Sequence, residues 1–187
     1  MEQWQKHIDF YFSKDWYIIP LSNKSKRPVA GVFWSEKSLT KQEAEEHVRE
    51  GGNLGVVAGK SGLVILDYDS HEINPELLDL TLTCRSARGY LFFTREPFSS
   101  SLFEKLKANW SHWDVPRVDI MYAVLPLSIT CTGEQKKHTC KKHDYRIREF
   151  IDMSKKILYF RDFVRKALGW FQFHPRYERR IEEICTA

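Results

Sequence analysis

Apolar and polar residues alternate along this chain in short blocks whose period changes repeatedly between that of a helix and that of a strand. Near the start, Trp4, Ile8, Tyr11 and Phe12 recur at helical spacing in WQKHIDFYF and predict an amphipathic first helix. WYIIPL then reads as a short strand from Trp16 to Pro20, of aromatic and β-branched residues ended by proline, followed by the polar loop SNKSKRPVAG. Thr40-Lys41-Gln42-Glu43 has the spacing of a capping box, in which hydroxyl and carboxylate satisfy free backbone donors, and it opens a helix expected to run to about Arg49. After Gly51-Gly52 the pattern predicts a strand over 54–58, a glycine turn over 59–62 and a second strand, GLVILDYDS; two short strands so joined predict a hairpin.

Further on, NPELLDLTL reads as a helical turn or a helix, RGYLFFTR as a strand, and residues 99–110 as a serine-capped helix with Leu102, Phe103 and Leu106 on one face. Strands are expected over 117–121 and 123–125. From Asp144 the spacing of Ile147, Phe150, Ile151, Ile157, Leu158, Phe163 and Leu168 predicts helix. Strands mixed with helices, without regular crossovers, predict an α+β fold: a mostly antiparallel sheet with packed helices. The expected organisation is one domain over 1–150 and a basic helical C-terminal segment over 151–187.

A chain of 187 residues with 42% hydrophobic and 14% aromatic residues can bury a core of that size. No apolar run approaches the ~20 residues that span a bilayer, and MEQWQKHIDF carries an acid and polar groups where a secretory signal has a basic start and an apolar stretch. The expectation is a cytoplasmic protein without a membrane partner. The net charge of +4 is uneven: residues 131–187 hold 14 Lys or Arg against 8 Asp or Glu, and the rest of the chain is slightly acidic. A basic end suits a polyanionic partner; a solvated helix face is the alternative.

Chemistry enters with Asp67 and Asp69, which end an apolar strand two residues apart and so share a face, and with Asp119 in the strand RVDIM. Three carboxylates gathered at a sheet edge bind hard divalent cations and suit phosphoryl transfer. Exposed strand-end acids are the other reading. A second cluster is CTGEQKKHTCKKHDY, where Cys131, His138, Cys140 and His143 offer four zinc ligands within thirteen residues, with Lys136, Lys137, Lys141 and Lys142 around the apparent tip. A solvated basic loop is the alternative there. A third mixes Lys155, Lys156, Arg161, Arg165 and Lys166 with Phe160, Phe163 and Trp170. It suits single-stranded nucleic acid, or else its apolar residues pack inward and its cations face water.

Read in order, WYIIPL, Lys26-Arg27-Pro28, Trp34, the capped helix, NLGVVAGKSGLVILDYD, a Ser-containing strand, RVDI and AVLPLS resemble the primase-polymerase domains of the archaeo-eukaryotic primase superfamily, especially those of archaeal plasmids and viruses. The resemblance covers roughly residues 10–150. It implies an RRM-like catalytic core and a DNA replication protein that adds nucleotides on a single-stranded DNA template. Asp67, Asp69 and Asp119 would be the catalytic acids holding two Mg²⁺ or Mn²⁺ ions. Ser86, Arg88, Tyr90 and Lys26 would face the nucleoside triphosphate. The residues between 129 and 145 would form an inserted hairpin like the zinc-bound stems of some archaeal relatives, and a helicase or other primase subunit would be the protein partner. The family's second motif carries a histidine that this chain lacks. With Ser86 on the motif serine, Tyr90 occupies its place, and a shift of one puts Leu91 there. Such a loss is what a noncatalytic, nucleic-acid-binding accessory subunit tolerates.

Overall fold

The computed structural model describes residues 2–32, 36–68, 72–86, 89–95, 117–119, 122–131, 135–136, 139–140 and 145–167; for 117–119, 130–131, 135–136, 139–140, 145–147 and 164 it describes the backbone. The chain is α+β with antiparallel sheets, and it divides into two compact units. One comprises residues 1–61, 86–88 and 121–149; the other comprises 62–85, 89–120 and 150–187. Among the described residues, no helix is long and apolar enough to cross a membrane.

In the first unit, α1 (Gln3–Ser13) turns its buried Ile8 and Tyr11 inward. The Tyr11 ring stacks on Trp16 at 5.7 Å, and its hydroxyl donates to the Pro126 carbonyl at 3.0 Å. Strand β1 (Ile18–Leu21) pairs antiparallel with β2 (Asn53–Val56), which pairs on its other side with β7 (Ala123–Val124). Between them α2 (Lys41–Arg49) opens with the expected box: the Glu43 amide donates to Thr40 Oγ1 at 3.2 Å, and the Thr40 amide donates to Glu43 Oε2 at 2.7 Å. The Lys37 ammonium sits 2.8 Å from Glu43 and, with these bonds, holds its carboxyl down at about 2.

The second unit is built on a five-stranded sheet. Its strands are β3 (Leu63–Tyr68), β4 (Thr83–Arg85), β5 (Tyr90–Arg95), β6 (Arg117–Asp119) and β12 (Glu149–Phe150), in the order β12-β4-β5-β3-β6. The short helix α3 (Pro75–Leu78), capped by Asn74 with proline in its first turn, connects β3 to β4. Strand alternation gives the sheet two different faces. Val64, Leu66, Tyr90 and Phe92 pack on one side with Leu77 and with Phe160, Phe163 and Ala167 of α4 (Phe160–Ala167), the Phe92 and Phe163 rings 5.2 Å apart. Leu63, Ile65, Asp67, Leu91 and Phe93 belong to the other side.

Two sequence expectations are corrected here. Strands β2 and β3 do not form a hairpin, because both edges of β2 are taken by β1 and β7 while β3 lies between β5 and β6. The helical turn Gly59–Ser61 and Gly62, at φ +63, redirect the chain from one sheet to the other. The stretch following Asp144 is not helical either. Strand β11 (Tyr145–Ile147) pairs with β8 (Ile129–Cys131), Glu149–Phe150 extends the large sheet, and helix begins only at Phe160. The helix expected over 99–110 and the chain beyond 167 lie outside the described residues.

Candidate active site

The sequence confined to β3 explains how a carboxylate comes to stand at the end of a buried strand. Leu63, Val64, Ile65 and Leu66 are buried, and exposure begins only at Asp67, which is half-buried. The strand thus leaves the core at its acidic end. Antiparallel register with β6 sets Asp67 opposite Arg117 and Ile65 opposite Asp119. Residues 67 and 119 therefore occupy diagonal positions on one face of neighbouring strands, a spacing of roughly 7–8 Å between backbone positions. Asp69 lies outside the described residues, and Asp119 is described by its backbone. Among the described residues, no three His, Cys, Asp or Glu side chains stand close enough to hold a metal ion. The donor types fit one nonetheless, since carboxylate oxygens are the ligands that Mg²⁺ and Mn²⁺ prefer.

Register sets the two candidates for the place of the missing histidine on different faces of the sheet. Tyr68 pairs with Tyr90, whereas Asp67 pairs with Leu91. Tyr90 is 4% exposed and belongs to the cluster with Phe92 and Phe163 on the far face from Asp67. Tyr90, expected to face the nucleotide, thus lies on the opposite face from Asp67, since side chains one residue apart on a strand point to opposite faces. Leu91, 2% exposed, holds the position across from Asp67 and offers neither donor nor charge.

Ser86, buried, directly follows β4 at the head of the loop leading to β5. Arg88 in that loop lies outside the described residues. Lys26 belongs to the first unit, in a compact loop over 22–28. The loop is closed by the Ser22 amide on the Arg27 carbonyl at 2.8 Å and by a bridge between Leu21 and Pro28.

What fixes that loop is a residue the sequence reading left without a role. Asn53, 3% exposed, donates from Nδ2 to the carbonyls of Ser25, at 2.9 Å, and Ile129, at 2.8 Å, while its Oδ1 accepts the Ile129 amide at 2.9 Å. Beside it, Ser128 Oγ accepts the Leu54 amide at 3.1 Å and donates to the Leu54 carbonyl at 3.2 Å. NLG and PLS, two motifs far apart in the chain, thus clasp each other. His47 adds a third tie: its Nε2 stands 2.9 Å from the Leu21 carbonyl and 3.0 Å from the Asn53 carbonyl, so this nitrogen carries the hydrogen and donates to both. The available signal was a polar side chain in an apolar strand, which has to find partners when buried.

In the Cys/His segment, β8 and β11 form the base of a ribbon, and β9 (Gln135–Lys136) pairs with β10 (Thr139–Cys140) beyond it. Cys131 pairs with Tyr145 at the base and Cys140 with Gln135 nearer the tip. His138 and His143 lie outside the described residues.

A comparison with curated proteins finds no match. A family model described as bifunctional DNA primase/polymerase, N-terminal (Prim-Pol), matches residues 9–150. That span runs from the first helix to β12 and includes the acid end of β3, the strand RVD and the clasp of NLG with PLS. The chain belongs to the Prim-Pol family of DNA primase/polymerase domains.

Proposed function

We propose that the chain is a template-dependent nucleotidyltransferase of a replication system of the archaeal plasmid or virus type, in which Asp67, Asp69 and Asp119 hold two Mg²⁺ or Mn²⁺ ions. The observation that carries this reading is the β3–β6 register, which brings Asp67 and Asp119 to diagonal positions on one sheet face. Bound there, such ions lower the barrier for attack of a primer hydroxyl on a nucleoside triphosphate and offset the charge of its phosphates. Ser86, Arg88 and Lys26 bind the triphosphate. Lys26 gains from the closed 22–28 loop, because a tethered cation loses less freedom on binding. The template is single-stranded DNA, the setting is the cytoplasm, and a helicase or another primase subunit is the protein partner.

The test is primer synthesis and extension on single-stranded templates with Mg²⁺ or Mn²⁺, comparing the wild type with Asp67→Ala and Asp119→Ala. Loss of metal-dependent product in both variants supports the proposal, and equal product from all three proteins defeats it. Leu91 favours a second reading, an accessory subunit that binds nucleic acid without catalysis, since the position across from Asp67 has no hydrogen-bonding group. That protein would bind single-stranded DNA in a salt-sensitive manner yet show no metal-dependent binding of nucleoside triphosphate.

For the ribbon over 129–145 we propose a Zn²⁺ site made by Cys131, His138, Cys140 and His143. The nested pairing of β8 with β11 and β9 with β10 supports it, because it sets two cysteines on one short ribbon, and ligand groups brought together in so short a segment suit a metal that folds it. Protein purified without chelator should carry about one zinc per chain. Zinc-free protein with an unchanged melting temperature would rule the site out.

A further inference from the structure

Among the described residues of the C-terminal segment, Tyr159 departs from the inward packing of its aromatic neighbours. Phe160 and Phe163 are buried, but Tyr159 is 45% exposed, one of three large apolar residues with so open a surface among those described. Its backbone forms a parallel bridge with Arg95, and the Arg95 guanidinium lies 4.4 Å from the centroid of its ring. Arg95 is exposed as well. Exposed Lys156 and half-buried Lys155 and Arg161 flank the ring in sequence, and Arg165 and Lys166 are exposed on α4. Among the described acids, Asp79 is engaged by Lys155 at 2.9 Å, Asp152 also acts on Lys155, and Asp162 lies 4.0 Å from Arg165.

From this arrangement we infer that Arg95 and Tyr159 form a stacking platform for a base of single-stranded DNA, with Arg95 and Lys156 meeting the adjoining phosphates. An aromatic face accepts any base, and a cation over or beside it adds attraction for the backbone. Charge favours this occupant over an apolar protein surface: among the described residues, Arg95, Lys155, Lys156, Arg161, Arg165 and Lys166 stand against Asp79, Asp152 and Asp162, a positive balance that suits a polyanion. The platform is separate from the carboxylates. Arg95 pairs with Leu63 and Leu91 with Asp67, so the two sites lie four residues apart along β3 and β5, roughly 13 Å. Ile65 and Phe93, both fully buried, occupy the positions between. The inference rests on the DNA substrate of the family and not on the metal chemistry of Asp67.

The experiment is fluorescence polarisation of a labelled thymidine 20-mer, without metal or nucleotide, over a series of salt concentrations. Tyr159→Ala should weaken binding about fivefold to 100-fold, Tyr159→Phe should stay within about twofold of wild type, and Arg95→Ala should lower the salt slope by about one. The same loss for Tyr159→Ala in an Asp67→Ala background separates this contact from the catalytic proposal. Tyr159→Leu keeps an apolar body at the site and guards against a simple folding effect; it should bind as weakly as the alanine variant. Wild-type affinity in Tyr159→Ala or Tyr159→Leu overturns the platform. So does a wild type that binds no oligonucleotide, which would leave the patch to a protein partner.

Discussion

Replacing Asn53 by alanine removes the clasp that holds the Lys26 loop, and the structure sets the size of the effect. Three hydrogen bonds of 2.8–2.9 Å disappear together: two to the carbonyls of Ser25 and Ile129, and one from the Ile129 amide. Each such bond contributes about 1 kcal/mol net, and a buried group left without a partner costs about 1–3 kcal/mol. Ser25 and Ile129 are only half-buried, so water can satisfy part of what is exposed. The expected loss is therefore about 3 kcal/mol, near the sum of three net bonds and below the cost of three fully buried orphans. Asn53→Asp should not rescue it, since a carboxylate can accept the Ile129 amide but faces two carbonyl oxygens where donors are needed. Urea denaturation gives the stability change from the midpoint and slope. In the same variant, the apparent Kd for nucleoside triphosphate should rise, because the 22–28 loop is no longer tied. A stability loss under about 1 kcal/mol, with Asn53→Asp equal to wild type, would refute the clasp.

Three further outcomes follow from other parts of the chain. A Cβ added at Gly52 would come within 2.2 Å of His47 Nε2, so Gly52→Ala must swing the imidazole off the Leu21 and Asn53 carbonyls. The expected cost is about 1–3 kcal/mol, and it should largely vanish in a His47→Ala background in a double-mutant cycle. Glu43, whose folded value of about 2 lies below that of an unfolded chain, contributes stability that is present above about pH 4.5 and lost as pH falls towards 2. The gap in melting temperature between wild type and Glu43→Gln should accordingly be constant near neutrality and close over that acid window. Phe163→Ala empties a fully buried position against Phe92 and should cost about 3–5 kcal/mol by urea denaturation.

How much of this could be read from the sequence depended on whether the deciding contact was local. The capping box at Thr40 was legible because both partners lie within four residues and the pattern states its own geometry. The first helix, β1, β3 and β5 were legible for the same kind of reason, since their apolar period is a property of each segment alone. The supposed β2–β3 hairpin was not, because pairing is settled by which edges remain free, and β7, which takes the second edge of β2, lies some seventy residues downstream. Ile147, Phe150 and Ile151 satisfied a helical period by coincidence; distant Ile129–Cys131 captured β11 instead. At the candidate site, Asp67 was visible as an acid ending a buried strand, but Leu91 became the residue opposite it only through the register of β5. A shift of one residue exchanges the two faces of a strand, and no motif spacing read along a single segment resolves it. Asn53 stood only as part of a motif, just before the expected strand; its burial and its partners at Ser25 and Ile129 come from tertiary folding.

The central claim is that the carboxylates at the acid end of β3 and β6 support metal-dependent nucleotide addition. Its most direct measurement is primer extension on a single-stranded DNA template, with Mn²⁺ or Mg²⁺ as the varied component, for wild type, Asp67→Asn and Asp119→Asn. Asparagine keeps the volume but exchanges one acceptor oxygen for a donor NH2 and removes the charge that holds a divalent cation. The account predicts extension by the wild type that depends on added metal and falls by at least about a hundredfold in either variant. Extension that persists at the wild-type rate in both variants, or a wild type that binds DNA but never extends a primer with either metal, would contradict it.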